Sequence, residues 1–177
     1  MPSPASGLWL LAFVSLQRAV ELGIATRKTR RLRAAGAYEI GAGHYPAMVA
    51  FHATWLLTLW ILGWSRPIVI AFLGVYGLLQ LGRLWVLQTL GPRWTTRIIV
   101  VPDAAPVATG PYRFLRHPNY AIVAFELPCV SLALGLGWHA IVFGLLNIAM
   151  LTWRIRVEDR ALAAAHRDHK AIASFTE

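Results

Sequence analysis

Two short stretches of the chain combine residue types that bind charged small molecules. The first, Thr109–Tyr120, contains a Gly-Pro turn, aromatic and basic residues, and Pro118 at a position that suits the first turn of a helix. The free amides and the dipole at such a helix start favour a carboxylate or a phosphate. In the second, Arg154–Leu162, Arg154 and Glu158 are four residues apart and share a helix face. Either stretch alone is also compatible with a purely structural helix end.

The elements that must position these residues are membrane helices. Of the 177 residues, 57% are hydrophobic and 14% are charged, against roughly 25% charged in typical soluble proteins. The mean hydropathy of +0.54 excludes intrinsic disorder and a coiled coil. Five stretches approach the length of about 20 apolar residues that a membrane-crossing helix needs: 7–26, 45–63, 67–90, 119–136 and 138–156. The sequence therefore predicts an all-α integral membrane protein with five transmembrane helices.

Two of the connections between these spans are short. Turn-like breaks at 63–67 and 135–138 join neighbouring spans into tight helical hairpins. The first span does not match a signal peptide, because Arg18 and Glu21 interrupt its apolar run. The single cysteine, Cys129, excludes an internal disulfide and a cysteine-based zinc site.

Lysine and arginine residues are concentrated in alternate connections, which predicts the orientation. Fourteen of them lie in 27–44, in 91–118 and in the end of the last span with the tail, whereas the two hairpins hold only Arg66. By the positive-inside rule the N-terminus lies outside, and the long connections and the tail face the cytoplasm. The net charge of +9 follows this distribution, so no nucleic-acid partner is expected.

Ionisable residues also occur within the spans, where they are costly and by default mark a functional site or a buried pair. They share a depth near the predicted cytoplasmic end, which favours a polar cavity open to that side. Two alternatives stay open: Arg18 and Glu21 could neutralise each other on one helix face, and Arg83 could extend to the interface. The full set is Arg18, Glu21, His52, Arg83, Glu126 and Arg154.

Two histidines lie at the start and inside of the second span. His44 and His52 are eight residues apart, which is not the i,i+4 spacing of a helical metal pair, so no metal site is expected. They are either buried structural histidines or groups that accept a proton or bind a substrate.

Taken together, the Gly110–Tyr112 turn, the Arg116–Tyr120 segment and the Arg154–Leu162 pattern resemble the isoprenylcysteine carboxyl methyltransferase family of membrane enzymes. The resemblance covers roughly residues 91–170. The chain departs from the pattern at Ala121-Ile122, where many members have a glycine, and at Asp159, which replaces a common glutamate. The family uses S-adenosylmethionine and methylates lipophilic acceptors at the cytoplasmic membrane surface.

The resemblance implies a role for each matching residue. Arg154 would lie beside the acceptor. Independently of the resemblance, their position within the spans makes Arg83 and Glu126 further candidates for acceptor binding, and their chemistry makes His44 and His52 candidate bases. Residues 1–90 would form the acceptor side of one membrane domain over 1–177, and residues 91–177 the cofactor side. The implied cofactor contacts are Tyr112, His117, Pro118, Asn119, Tyr120 and Glu158, with the backbone of Ala104–Val107, including Ala105 and Val107.

The acceptor is the least determined part of the prediction. Short bacterial-type relatives methylate hydroxyls of long-chain polyketide lipids such as alkylpyrones or alkylresorcinols, and longer eukaryotic-type members methylate a prenylated cysteine carboxylate. A hydroxyl benefits from a base near neutrality, and histidine has an unperturbed pKa of about 6.5. We therefore favour a hydroxyl acceptor. The likeness to short bacterial-type relatives also favours a location in a bacterial cytoplasmic membrane. The alternatives are an NADPH-dependent sterol- or enone-type reductase, whose members share a similar Arg-His-Pro-Asn-Tyr segment, and a non-catalytic lipid-binding protein.

Overall fold

The architecture is a bundle of five helices. The computed structural model of the chain describes the backbone of residues 6–102 and 104–175, and the side chains of 6–102 and 104–160. The predicted all-helical membrane class is confirmed. The helices are α1 (Ser6–Ala34), α2 (Tyr45–Gly63), α3 (Ile70–Leu90), α4 (Pro118–Ala133) and α5 (Gly137–Phe175).

Four of these helices are long and apolar enough to cross a membrane, within the part of the chain that the structure describes. They are Ser6–Ala34, Ala42–Gly63, Ile70–Arg93 and Gly137–Arg160. Helix α4 has only 16 residues, or about 24 Å at 1.5 Å per residue, and the hydrocarbon core is about 30 Å thick. The five-span count and the orientation therefore stay predictions.

We name the two ends of the bundle by their residues. At the hairpin end, residues 64–69 join α2 to α3 and residues 134–136 join α4 to α5. The Gly7 amide of α1 donates to the Arg66 carbonyl at 3.1 Å, and a Cβ at Gly7 would lie 2.6 Å from that oxygen. The Val69 amide donates to the Ala133 carbonyl at 2.8 Å. Because these are backbone contacts, α1 and both hairpins are fixed to each other at this end.

The core between the helices is apolar, and so is the outer surface. Leu11, Trp55, Leu59, Leu127 and Val130 are buried in one cluster that joins α1, α2 and α4. Large apolar side chains on the outside of the bundle are more than half exposed, which suits contact with lipid rather than with water. Examples are Leu16, Ile70, Leu78, Phe125 and Leu145.

The opposite end, at which α1 and α3 end and α2 and α4 begin, is called the basic end. Two predicted loops meet there in a small antiparallel pair, β1 (Tyr38–Glu39) with β2 (Ile99–Val100). This two-residue pair is a local addition to the predicted all-helical fold. Glu39 explains the pairing, since its carboxylate binds Arg97 at 2.7 Å and also Arg33. The connection that follows α3 is thereby held over the end of the bundle.

Candidate active site

A cavity of about 690 Å³ lies at the basic end, and we call it the connector cavity. Its volume falls within the range of about 300–1,000 Å³ that is typical of small-molecule sites. Its walls are formed by residues 93–95, 97–102 (which include β2) and 104–107, by the start of α4, and by α5 near Arg154 and Glu158. Pro118 is not among the lining residues; it is buried as the first residue of α4. The other predicted cofactor residues all line the cavity: Ala105, Val107, Tyr112, His117, Asn119, Tyr120 and Glu158.

A second cavity of about 290 Å³ lies among the helices, and we call it the bundle cavity. All five helices contribute to its wall. Among the predicted acceptor residues, Arg83, Arg154 and His52 line it. The two cavities adjoin, since they share the wall residues Trp94, Thr95, Asn119, Tyr120 and Arg154.

Arg154 is held in place at this junction from three sides. Its side chain is 6% exposed. Nε donates to the Tyr120 hydroxyl at 2.7 Å, Nη2 to the Thr96 carbonyl at 2.8 Å, and Nη1 contacts the Met48 sulfur at 2.7 Å. The Tyr120 hydroxyl donates in turn to the Glu158 carboxylate. Arg154 and Glu158, predicted to share a helix face, are therefore linked through the tyrosine.

Asp159 positions the histidine at the start of α4. The His117 Nε2 lies 3.2 Å from Asp159 Oδ1, and the imidazole stacks on the Tyr120 ring with 5.4 Å between centroids. Arg116 Nη2 lies 3.5 Å from the same carboxylate oxygen. Asp159, a departure from the family pattern, thus makes an ion-pair contact that local spacing did not indicate.

A sharp turn brings Tyr112 to the connector cavity. Gly110 adopts φ +56° in the 3-10 turn Gly110–Arg113, and a Cβ there would collide with Thr89. Glycine is therefore required for both its conformation and its small size. Burial, with the negative charge of Glu158 as a second cause, raises the pKa of Tyr112 to about 12. Its phenol stays protonated at neutral pH and can donate a hydrogen bond.

The sequence analysis missed the arginines that hold the connection between α3 and α4 in place. Arg93 Nη1 donates to the Ala105 carbonyl at 2.8 Å and so positions the backbone stretch predicted to meet the cofactor. The Arg97 guanidinium lies 3.9 Å from the Tyr45 ring centroid, in addition to its ion pair with Glu39. In the sequence, both arginines were explained by membrane topology alone.

Four intramembrane charges form a closed network along one side of the bundle cavity. Glu126 is fully buried and pairs with Arg18 at 2.5 Å and with Arg83. Glu21 lies 3.0 Å from Arg18 and 3.3 Å from Arg83. Arg83 is buried and does not extend to the interface, so that alternative was wrong. Glu126 lines neither cavity, and its position does not support contact with an acceptor, because both of its carboxylate oxygens face the arginines.

The two histidines have different surroundings. His52 lines the bundle cavity, and its Nδ1 lies 2.8 Å from the Met48 carbonyl. Nδ1 must therefore carry the proton, which leaves Nε2 as an acceptor. His44 is buried in the turn before α2, where its ring meets the Trp153 edge at 5.8 Å, and it lines neither cavity. Of these two histidines, the structure thus brings only His52 to the bundle cavity.

The bundle cavity reaches the lipid-facing surface between α1 and α2. Near the hairpin end these helices are joined by Trp60 Nε1, which donates to Ser15 Oγ at 3.0 Å. Farther along, Leu22 of α1 and Val49 of α2 line the cavity while 47% and 43% exposed, and Ala53 is also exposed. A long apolar chain could lie in this opening.

The bundle and its cavities define an all-helical membrane protein in which two cavities share a wall. The model of the isoprenylcysteine carboxyl methyltransferase (ICMT) family matches residues 69–164, and the chain belongs to this family of membrane methyltransferases. The predicted resemblance is confirmed. The chain is also 35% identical over 160 residues to a Bacillus subtilis (strain 168) protein described as uncharacterized protein YpbQ. The matched region covers 87% of this chain and 95% of that protein. No solved structure matches the chain.

Proposed function

We propose that this protein transfers a methyl group from S-adenosylmethionine to an oxygen of a lipophilic acceptor. The observation that carries the proposal is the junction of the two cavities at Asn119, Tyr120 and Arg154. One cavity offers polar and charged groups, and the other offers a mostly apolar space that opens toward lipid. Group transfer requires both reactants to be held close together and in line, and a shared wall is a suitable arrangement for this.

The residues of the connector cavity fit S-adenosylmethionine. Glu158 is an acceptor for the ammonium group or the ribose hydroxyls, and the aromatic rings of Tyr112 and His117 are stacking faces for the adenine. The Asn119 Oδ1 is buried and has no hydrogen-bond partner among the residues that the structure describes, as expected of a group that a ligand satisfies. When bound, this cofactor supplies a methyl group on a positively charged sulfur.

Arg154 is the residue that we assign to the acceptor oxygen. A guanidinium has five N–H donors, and three directions are already used toward Tyr120, Thr96 and Met48. Two donors remain for the oxygen that is methylated. Because its partners fix the guanidinium, Arg154 can orient an anionic or ionising oxygen without reorganising.

His52 is the base that we assign to a hydroxyl acceptor. Its proton is on Nδ1, so Nε2 is free to accept the hydroxyl proton as the oxygen is methylated. Trp55, Leu56 and Val123 keep the surrounding wall apolar and exclude water. This arrangement favours a long-chain lipid with a ring hydroxyl over a prenylated cysteine carboxylate, which needs no base.

We extend the proposal to the setting of the enzyme. The basic end faces the cytoplasm of a bacterial cell, and α4 completes the membrane domain as a short fifth span. The support is the concentration of arginine and lysine at this end.

Calorimetry on the detergent-purified protein tests the cofactor class. We expect binding of S-adenosylhomocysteine and none of NADPH. Transfer of a labelled methyl group should then be measured with an alkylresorcinol, an alkylpyrone and a farnesylated cysteine derivative. Binding of NADPH without S-adenosylhomocysteine would instead support a reductase, and turnover of the farnesylated compound alone would contradict the hydroxyl acceptor.

A further inference from the structure

We infer that Tyr45, at the start of α2, is a positioning residue of the proposed methyl transfer, because it fixes the Arg154 guanidinium through the Thr96 carbonyl. The inference rests on the proposed function and extends it to a residue to which the sequence motifs assign no role. It predicts that turnover depends on Tyr45 through the orientation of Arg154.

Two of the three contacts of Arg154 determine the plane of its guanidinium. Its Nε donates to the Tyr120 hydroxyl at 2.7 Å, and its Nη2 donates to the Thr96 carbonyl at 2.8 Å. The third acceptor, the Met48 sulfur, is weaker than an oxygen. Because the guanidinium is rigid and planar, oxygen contacts at two of its nitrogens fix the directions of the N–H groups that remain for an acceptor.

The Thr96 carbonyl is the one of these two oxygens that needs support from elsewhere. Tyr120 lies in the first turn of α4, whereas Thr96 lies between α3 and β2, outside any helix or strand. A connecting segment changes the direction of its carbonyls more readily than a helix does. The orientation of the Nη2 donor therefore depends on what holds residues 95–97.

Tyr45 contacts both residues that flank this carbonyl. Its hydroxyl lies 3.3 Å from Thr96 Oγ1, and Arg97 Cζ lies 3.9 Å from its ring centroid. The peptide bond between Thr96 and Arg97 carries the carbonyl in question, so the tyrosine holds the side chain on each side of it. The ion pair between Arg97 and Glu39 at 2.7 Å keeps the guanidinium of Arg97 over the ring.

The same face of α2 contacts Arg154 a second time. Tyr45 and Met48 are three residues apart on this helix and are neighbours on its surface. Met48 contacts Nη1 directly, while Tyr45 acts on Nη2 through the connecting segment. Tyr45 lines the bundle cavity and is not among the described residues that line the connector cavity. Its loss should therefore lower turnover and leave the affinity for S-adenosylhomocysteine nearly unchanged.

Two isosteric variants, Tyr45→Phe and Thr96→Val, test the hydroxyl contact, since each removes one of the two hydroxyl groups. Methyl transfer should be measured with the best acceptor among the alkylresorcinol, the alkylpyrone and the farnesylated cysteine derivative. We expect each variant to lower kcat about 2- to 12-fold, as for one net hydrogen bond. The double variant should be no slower than either single variant, because both changes remove the same contact. The control, Thr152→Val, removes an exposed hydroxyl two residues from Arg154 and should leave kcat intact.

Nuclear magnetic resonance of nitrogen-15-labelled arginine side chains tests the inference without turnover. The signals that are missing in Arg154→Lys belong to Arg154. We expect separate Nη1 and Nη2 signals in the wild type, because the Thr96 contact blocks rotation about the Nε–Cζ bond. Tyr45→Leu removes both the hydroxyl and the ring face, so the two signals should merge into one averaged signal. This variant should also lower kcat by up to about 100-fold, which a displacement of about 1 Å can cost.

Separate Nη signals of Arg154 that persist in Tyr45→Leu would overturn the inference and leave the proposed function standing. Additive effects of Tyr45→Phe and Thr96→Val on kcat would also overturn it. If Tyr45→Leu does not fold, the two isosteric variants carry the test, and a wild-type kcat in either one would overturn the inference. Merged signals in Tyr45→Leu, in a protein whose wild type neither binds S-adenosylhomocysteine nor transfers a methyl group, would support the positioning contact and contradict the proposed function.

Discussion

At the scale of single residues, one tyrosine hydroxyl connects Glu158, which we propose to bind the cofactor, with Arg154, which we propose to bind the acceptor. Tyr120 accepts a hydrogen bond from Arg154 and donates one to Glu158. Its proton is thereby directed toward the carboxylate. The two charged residues stand on opposite sides of this hydroxyl, so their removal should have different kinetic consequences.

Glu158→Gln should weaken binding of the cofactor. The substitution keeps the shape of the side chain and removes its charge, and loss of a charge-assisted hydrogen bond costs roughly 1.5–3 kcal/mol. This corresponds to about 10- to 150-fold weaker binding of S-adenosylhomocysteine, measured by calorimetry. Arg156→Gln, an exposed charge change on the same helix, is the control and should bind normally. Unchanged affinity in Glu158→Gln would contradict the assignment.

Arg154→Ala should instead lower turnover while the affinity for S-adenosylhomocysteine stays nearly unchanged. We expect Arg154→Lys to restore little activity, because an ammonium does not reproduce the planar fork held by Tyr120 and Thr96. Calorimetry and a methyl-transfer assay on the same preparations separate the two effects. An equal loss of cofactor binding would place Arg154 in the cofactor site.

His52→Ala should lower methyl transfer to a hydroxyl acceptor strongly at pH 7. The rate should recover partly as the pH rises, because the hydroxyl then ionises without a base. His44→Ala is the matched control, since His44 is a buried histidine of the same region that lines neither cavity. A pH–rate profile of His52→Ala that runs parallel to that of the wild type would argue against a role as base.

At the scale of helices, the network of Arg18, Glu21, Arg83 and Glu126 connects α1, α3 and α4. Its two positive and two negative charges balance, which makes their burial in a bundle tolerable. Helix α4 is short and carries Pro128 inside it, so its position depends on such contacts with its neighbours. The network therefore positions the helix whose first turn belongs to the proposed active site.

Glu126→Gln should destabilise the bundle by about 3–5 kcal/mol, because it leaves two buried arginines with one carboxylate. A lower melting temperature of the detergent-purified protein measures this. The double variant Arg83→Gln with Glu126→Gln restores the charge balance and should melt at a higher temperature than Glu126→Gln alone. A single variant as stable as the wild type would show that the network does not hold α4.

At the scale of the whole molecule, we expect the proposed active site to lie on the cytoplasmic side of the membrane, because it is at the basic end. Cysteines introduced at Ala35 and Ala104 should be protected from an impermeant thiol reagent in intact cells, whereas one at Ser65, in the hairpin end, should react. Both classes should react after the cells are opened. Labelling of all three positions in intact cells would contradict the proposed orientation.

The sequence by itself determined the membrane class, the start of α4 at Pro118 and the residues gathered at the connector cavity. Apolar length and turn residues are local properties, and short segments suffice to specify them. The grouping of Tyr112, His117 and Tyr120 with Glu158, which lies 38 residues beyond Tyr120, was implied by the resemblance to the family. The family could be recognised from the same motifs.

Only the tertiary structure decided which polar groups meet. Arg83 and Glu126 are 43 residues apart, and Arg154 and Met48 are 106 residues apart. Intramembrane residues of similar depth can pair in several ways, and the rotation of each helix about its axis selects one of them. That rotation depends on packing among all five helices, as does the difference between His52, at a cavity, and His44, outside it. The partners of the charges therefore follow from packing that no local pattern in the sequence encodes. The same packing buries the Asn147 Oδ1 on α5, which has no hydrogen-bond partner among the residues that the structure describes.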